Sequence, residues 1–447
     1  MMRAARFLFA LVALNAAMVA NPVRGYAQAQ PYPRRDLKTL YEDLRREIAT
    51  IKIFDDHGHP GLPDDSAVDA MQIPADSSLP FRLREDNPEF VAAAQALFGY
   101  PYNDFSPEHA SSLVQEKKRL REKLSADYFS RVLDEVGIET AVANRVSMPS
   151  YLDPKRFRWV FFVDPFLFPL NNQDFASKNA DLKLNVPLEE KLLQHYLSEA
   201  DLKRVPEALS DYLALISQVL QMKKRAGAIG IKFEIAYFRP LLFTDPPSER
   251  AEEIYRKYAL GGSVPEADYG QLQDFLFRYL LHQAGKLQLP VQIHTAVGGG
   301  DYFNLSGGGI MNLEDILRDP GFEKVTFVLL HGGFPHEREA IWLAPRKNVY
   351  LDSSLMGLFL YPAEFKRSLR EWLEAFPDKI VFGSDTFPFS DTTGAEEFYW
   401  LAAESARKAV AAVLAEMISE NELTNTQALA LAHAYLHDTA ARLYRRE

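Results

Sequence analysis

The chain has 447 residues, of which 47% are apolar and 25% charged, and its formal charge is −11 at neutral pH. That charge argues against nucleic acid as the main partner, since a phosphate interface needs a dominant basic surface. Cysteine is absent, so disulfides and thiolate chemistry are excluded and any metal must be held by nitrogen and oxygen.

At the N-terminus, Arg3 and Arg6 precede an apolar stretch, Phe7 to Ala20, and Ala27-Gln-Ala29 supplies small residues for cleavage. This is the pattern of an export signal, expected over residues 1–29. The apolar stretch is interrupted by Asn15 and is too short to span a bilayer. The mature chain is therefore expected to be periplasmic or secreted, with no membrane span after cleavage. A cysteine-free exported chain fits a bacterial periplasm, where a fold need not carry disulfides.

From residue 50 onward, short β-branched or aromatic runs alternate with longer segments of helical period, the pattern of βαβ units. The runs predict eight strands, at about 50–56, 139–145, 157–163, 228–236, 290–294, 324–330, 348–352 and 379–384. Eight such units predict an α/β fold of the (β/α)8 TIM barrel type, with its site at the C-terminal strand ends. Residues 61–135 and 166–226 are too long for simple connections and are expected to form helical insertions over that end. The run Glu116-Lys-Lys-Arg-Leu-Arg-Glu-Lys123 reads as a solvated helix face. Residues 30–447 are read as one elaborated domain.

Four strand ends carry an imidazole or a carboxylate. The first reads Ile51-Lys-Ile-Phe-Asp-Asp-His57-Gly-His59; the others end at His294, His331 and Asp385. Residues two apart on a strand share a face, so His57 and His59 can look into one cavity. A lone histidine at a strand end is more often structural than ligating. The set together suggests a metal site, because divalent zinc takes imidazole and carboxylate and a catalytic site keeps a position open for water. The remaining histidines (His109, His195, His282, His336, His433 and His437) fall in helical or loop contexts. For Asp385 the plainer alternative is a helix N-cap after strand eight.

On strand four, Ile231, Phe233 and Ile235 share one face, leaving Lys232 and Glu234 to point into the barrel. A buried Lys232–Glu234 pairing is the plainer reading there. Arg239 follows at the active face, where a guanidinium can grip a carboxylate, so an acidic small-molecule substrate is one expectation; a surface arginine is the other. Tyr237 is equally open between substrate contact and packing. Gly298-Gly-Gly300 and Gly307-Gly-Gly309 lack the phosphate-loop spacing and read as a mobile loop beside the site. No Gly-x-Ser-x-Gly elbow is present, which disfavours a serine hydrolase.

Asp56-His57-Gly-His59-Pro, followed in order by His294, His331 and Gly383-Ser-Asp385, resembles the amidohydrolase superfamily, in its amidohydrolase-related branch. Further segments are similar to the nodulin/glutamine-synthetase-associated amidohydrolases: Gly230-Ile-Lys232-Phe-Glu-Ile-Ala-Tyr237-Phe-Arg239, Leu330-His331-Gly-Gly-Phe-Pro-His-Glu-Arg338, Asn348-Val-Tyr-Leu-Asp352 and His437-Asp-Thr-Ala-Ala-Arg-Leu-Tyr444. Uronate isomerases share a large helical insertion after strand one. The resemblance implies that His57, His59, His294 and Asp385 bind one divalent metal ion, zinc by family habit, which activates water. It implies that Asp385 is the general acid/base and that His331 polarises the substrate or adds a ligand. In some members a strand-four lysine is carboxylated and bridges two metals, a role open to Lys232. The implied activity is hydrolysis of an amide, ester or lactone. A non-oxidative decarboxylase or uronate-isomerase-like enzyme on the same metal, or a non-catalytic metal- or ligand-binding export protein, are the alternatives. A homo-oligomer is a base-rate expectation.

Overall fold

The structure, a computed structural model, describes residues 36–444. The expected export signal at 1–29 lies outside the described residues. Among the described residues, no helix is long and apolar enough to cross a membrane.

Eight parallel strands form one sheet in sequence order: β1 Ile53–Gly58, β2 Ile138–Asn144, β3 Phe157–Phe162, β4 Ala228–Phe233, β5 Val291–His294, β6 Phe327–Leu330, β7 Val349–Asp352 and β8 Ile380–Val381. Each lies within a few residues of the span its apolar run predicts. The last strand was expected to run to 384 but pairs with β7 only through Ile380 and Val381. Beyond it the chain curls over β1 instead. Asp56 N donates to Phe382 O at 3.0 Å, and the amides of Ser384 and Asp385 both donate to His57 O, at 3.1 and 2.9 Å. Those bonds bring the sheet round to a nearly closed TIM barrel.

Alternation along the strands builds two layers. Ile231, Phe233, Ile293, Leu329 and Leu351 belong to the large core shared with the surrounding helices. Val142, Val160, Val328, Leu330 and Val381 form a second cluster with Phe54 and Tyr444, which stack at 6.0 Å. This second layer fills the barrel interior with branched side chains, as such barrels require. Truncating one fully buried member, for example Leu330→Ala, should cost about 2–5 kcal/mol.

The connection from β1 to β2 carries three helices, Pro88–Phe98, Pro107–Leu124 and Tyr128–Val136. The first starts where Asn87 accepts from Glu89 N with Pro88 at the first helical position, and it ends at Gly99 with φ 64°. Both features are ordinary helix punctuation. Two buried cations tie this connection to the long helix Ala395–Ser419. Arg82 Nη2 donates to Ser405 Oγ at 2.7 Å, and Lys117 Nζ donates to Glu397 Oε2 at 2.7 Å. Lys117 thus corrects the expectation of a wholly solvated face: its neighbours in the charged run are largely exposed, but Lys117 itself is 1% exposed. The β3 to β4 connection carries the helices Ala180–Glu199 and Leu209–Arg225, the former capped by Asn179 accepting from Leu182 N.

Candidate metal centre

The histidine pair on β1 is aimed by a bulge. Asp55 pairs with Ala141 and Gly58 with Ala143, so β1 carries one residue more than β2 over that stretch. Phe54 belongs to the interior layer below, and the extra residue turns His57 inward as well. Such bulges commonly re-aim a side chain beside an active site. His57 Nε2 then stands 3.0 Å from Asp385 Oδ1, and His59 Nε2 is 3.7 Å from the same oxygen. His59 Nδ1 lies 3.0 Å from Asp69 Oδ2, within range of the carboxylate–imidazole pairing that orients metal-binding rings.

His331 and His294 border the group. His331 Nδ1 is 3.9 Å from Asp385 Oδ2, and His331 Nε2 is 3.0 Å from His294 Nδ1. The Val297 carbonyl, 3.0 Å from His294 Nε2, can only accept. His294 therefore carries its proton on Nε2 and takes a hydrogen bond from His331 at Nδ1. Ser354 Oγ lies 2.9 Å from His331 Nδ1 and completes its surroundings. Donor atoms of His57, His331 and Asp385 lie within 4.8 Å of one another. His294 is one hydrogen bond outside that trio.

Backbone geometry at these strand ends is unusual. Asp385 and His331 adopt φ of 52° and 61°, and Ala296 and Leu355, on the neighbouring loops, adopt 71° and 63°. Left-handed backbone costs a residue with a side chain on the order of 1–3 kcal/mol, and such residues gather at functional sites. Two of the residues proposed from sequence thus sit in strained turns.

The protonation of the ring nitrogens suits a cation. Burial, aided by the Lys232 ammonium, holds His57 and His294 well below the ordinary imidazole pKa, and burial beside His294 does the same for His331. Neutral imidazole is the metal-binding form. His57 is fully buried, and neither of its ring nitrogens makes a well-aligned hydrogen bond, although Asp385 Oδ1 stands 3.0 Å from Nε2. An all-nitrogen-and-oxygen donor set with a fully buried imidazole fits a divalent ion such as zinc, manganese, nickel or iron.

The opposite side of the barrel mouth is acidic. Lys232 Nζ lies 3.6 Å from Glu234 Oε1, and donor atoms of His59, Asp69 and Glu234 are mutually within 4.8 Å. Asp164, which follows β3, accepts from Glu234 N through both oxygens at 2.9 Å. Burial pushes Asp164 up to about 7 and lifts Glu234 and Glu189 well above the carboxylate range, with their mutual charges adding to the effect. For Asp69 burial acts upward most strongly of any single cause, but the His59 ring, the Lys232 ammonium and a hydrogen bond with Glu234 together hold the carboxyl below its usual value.

The remaining residues singled out from sequence divide. Tyr237 is beside the centre, its ring 4.6 Å from that of His294. Arg239 is not available to a substrate carboxylate. Its guanidinium donates to Asp274 Oδ1 at 2.6 Å, to Gln273 Oε1 at 3.2 Å and to the carbonyls of Gly270 and Leu242. Because those partners lie mainly on the helix Glu266–Leu287, Arg239 braces the loop after β4 against that helix. Asp69, Asp164 and Glu189 were not singled out. Asp164 ends its apolar run just as Asp385 does, so the strand-end pattern was present for it. Asp69 lies in irregular chain and Glu189 in a helix of ordinary charge, where spacing carries no signal.

Residues 238–446 match the amidohydrolase family model. Protein fluG of Emericella nidulans is 29% identical over 247 residues, covering 52% of this chain, which spans only 27% of the length of that relative. Among solved structures, one described as a metal-dependent hydrolase of Lactobacillus casei is 18% identical with TM-score 0.57, over 90% of this chain and 97% of the other. Glucuronate isomerase of Caulobacter crescentus is 15% identical with TM-score 0.62, over 92% and 95%. Uronate isomerase of Thermotoga maritima is 12% identical with TM-score 0.58, over 91% and 97%. At such identities the solved structures speak to fold alone. The family match begins just after β4, and β1 to β4 continue the same eight-stranded barrel. Over residues 238–446 the chain is similar to the amidohydrolase family, and over 90–92% of its length it shares the barrel fold of these solved structures.

Proposed function

We propose that the protein is a metal-dependent hydrolase acting on an amide, ester or lactone. The observation that carries the reading is that His57 Nε2 and His59 Nε2 lie 3.0 and 3.7 Å from the same oxygen of Asp385 at one barrel end, with His57 fully buried. In this reading those three residues hold one divalent cation, zinc by default, and the His294–His331 pair borders it. When bound, the ion supplies Lewis acidity and an activated water.

The chain's own groups do the rest. The Asp385 carboxylate, held between His57 and His331, takes a proton from the attacking water and delivers it to the leaving group. His331 borders the reacting centre, fixed by Ser354 on one side and His294 on the other, and its N–H would have to leave His294 to polarise the carbonyl. Tyr237 walls the site beside His294. The same residues could shuttle a proton between carbons, so product identity decides between hydrolysis and isomerisation. The test is product analysis of the metal-loaded enzyme on a panel of amides, esters, lactones and uronates. Cleavage products, lost in Asp385→Asn, support the reading; isomerised or decarboxylated products would replace it.

A further inference from the structure

We infer that a cavity on the flank of the barrel, apart from the candidate metal centre, binds a small carboxylate with a flat apolar body. The site lies beyond the hydrolase reading and does not depend on it.

The cavity has a volume of about 360 Å³ and opens where three elements meet. These are the segment 171–178 after β3, the loop after β4 at Arg239 and Pro240, and the first turns of the helix Glu266–Leu287. Its size is within the range of small-molecule sites. None of His57, His59, His294, His331 or Asp385 lines it. Phe175, Pro240, Val264 and Tyr269 give it an apolar wall. One side is a single helix face, because Glu266, Tyr269, Gly270 and Gln273 recur at three- and four-residue intervals. Gly270 is the most informative of them. It lies inside the helix, where glycine is less favourable than alanine. Its φ is not left-handed, and a Cβ at that position would meet no atom within 4 Å. Neither the backbone nor packing asks for glycine there; its missing side chain keeps the cavity open.

The hydrogen-bonding capacity of the lining selects the ligand. Gln273 Oε1 and the Gly270 carbonyl accept from Arg239 Nη1 at 3.2 and 3.1 Å, and Asn171 Oδ1 accepts from Gln173 N at 3.0 Å. The two carboxylates on the lining, Asp174 and Glu266, are exposed and engaged by Ser263 Oγ and Lys178 Nζ. A guanidinium can only donate, so the Gln273 atom that faces Arg239 is its oxygen. Gln273 Nε2 is left buried with no partner. A buried donor without an acceptor is destabilising, and a ligand oxygen would satisfy it. Lys178 supplies charge. Its partner Glu266 is 80% exposed, exposed pairs of this kind are weak, and its ammonium already lies 4.9 Å from the Phe175 ring centre. An amide N–H and an ammonium beside an aromatic wall suit the two oxygens and the body of an aromatic carboxylate.

The test is calorimetric titration of benzoate and of its neutral isostere benzamide into the metal-loaded protein, beside Gly270→Leu and Gln273→Glu. The wild type should bind one equivalent of benzoate at least about tenfold more tightly than benzamide. Gly270→Leu fills the cavity and should lose that equivalent, with a melting temperature no lower than that of the wild type. Gln273→Glu keeps the oxygen that Arg239 needs but turns the spare donor into an acceptor, and should lose it as well. Metal content should be unchanged in both variants. Binding of neither probe, equal binding of the two, or benzoate binding that survives either substitution would overturn the inference; benzoate seated on the metal ion would survive both. Should Gln273→Glu fail to fold, Gly270→Leu and the preference for benzoate over benzamide decide the matter.

Discussion

The two sides of the barrel mouth handle burial in opposite ways. Around His57, His331 and Asp385, neutral imidazoles are packed with lone pairs available and one carboxylate between them. Around Glu234, Asp164 and Glu189, carboxyl groups are packed together with a single lysine. The first side is suited to a Lewis acid, while on the second burial holds the carboxyl groups towards their neutral form. Fold position alone would not distinguish the two, since both are built from strand ends and their loops.

The comparison can be broken most severely at Asp385. Asp385→Asn keeps the shape but removes the proton carrier, and should lower the hydrolytic rate by roughly 10²–10⁴-fold, read from steady-state kinetics. A smaller effect is expected where the two sides meet. Asp69 belongs to the acidic side yet stands 3.0 Å from His59 Nδ1; Asp69→Asn should weaken metal affinity by about 10–100-fold, measured by competition with a chelator. An unchanged affinity would mean that His59 is not a ligand. Next, Arg239→Met should leave metal content and substrate affinity alone while destabilising the fold by about 1–3 kcal/mol, because Asp274 loses its partner inside the protein. A selective rise in KM for carboxylate-bearing substrates would restore Arg239 to the site.

The most gradual effect is a pH dependence on the acidic side. Asp164 is pushed up to about 7 by burial, so between its unfolded value and 7 the native state holds a proton that the unfolded chain has released. Stability from this group is present at low pH and is lost as pH rises through that window. The metal-free wild type should therefore lose stability relative to Asp164→Asn between pH 4 and 7, on the order of 1 kcal/mol per pH unit at most. Denaturant titrations of both proteins would show it; a gap independent of pH would mean that Asp164 titrates normally.

The barrel was legible because its signal is redundant. Eight apolar runs separated by helical segments constrain one another, and a boundary error of three residues at β6 or β8 leaves the topology intact. His57, His59, His331 and Asp385 were legible for a related reason: strand ends in this architecture open on one cavity, so position along the chain translates into position in space. The same logic covered Asp164, whose role at the end of β3 became apparent only with its bonds to Glu234 N. Arg239 shows where the logic stops. It follows a strand at the correct face, but the helix Glu266–Leu287 offers Asp274 and Gln273, and no local pattern announces those partners. Asp69 reaches the mouth from an irregular loop, beside His59 and Glu234, the latter more than a hundred residues away in the chain. Distant packing of that kind is written in no short motif.

The central claim, that His57, His59 and Asp385 hold one divalent ion, is tested most directly by elemental analysis of the purified protein beside His57→Ala. The account predicts about one equivalent of a divalent metal per chain in the wild type and its loss in the variant. A metal content unaffected by the substitution, or none after reconstitution with zinc or manganese, would contradict it. Two equivalents would contradict the single-ion site and point to a carboxylated Lys232 bridging a pair.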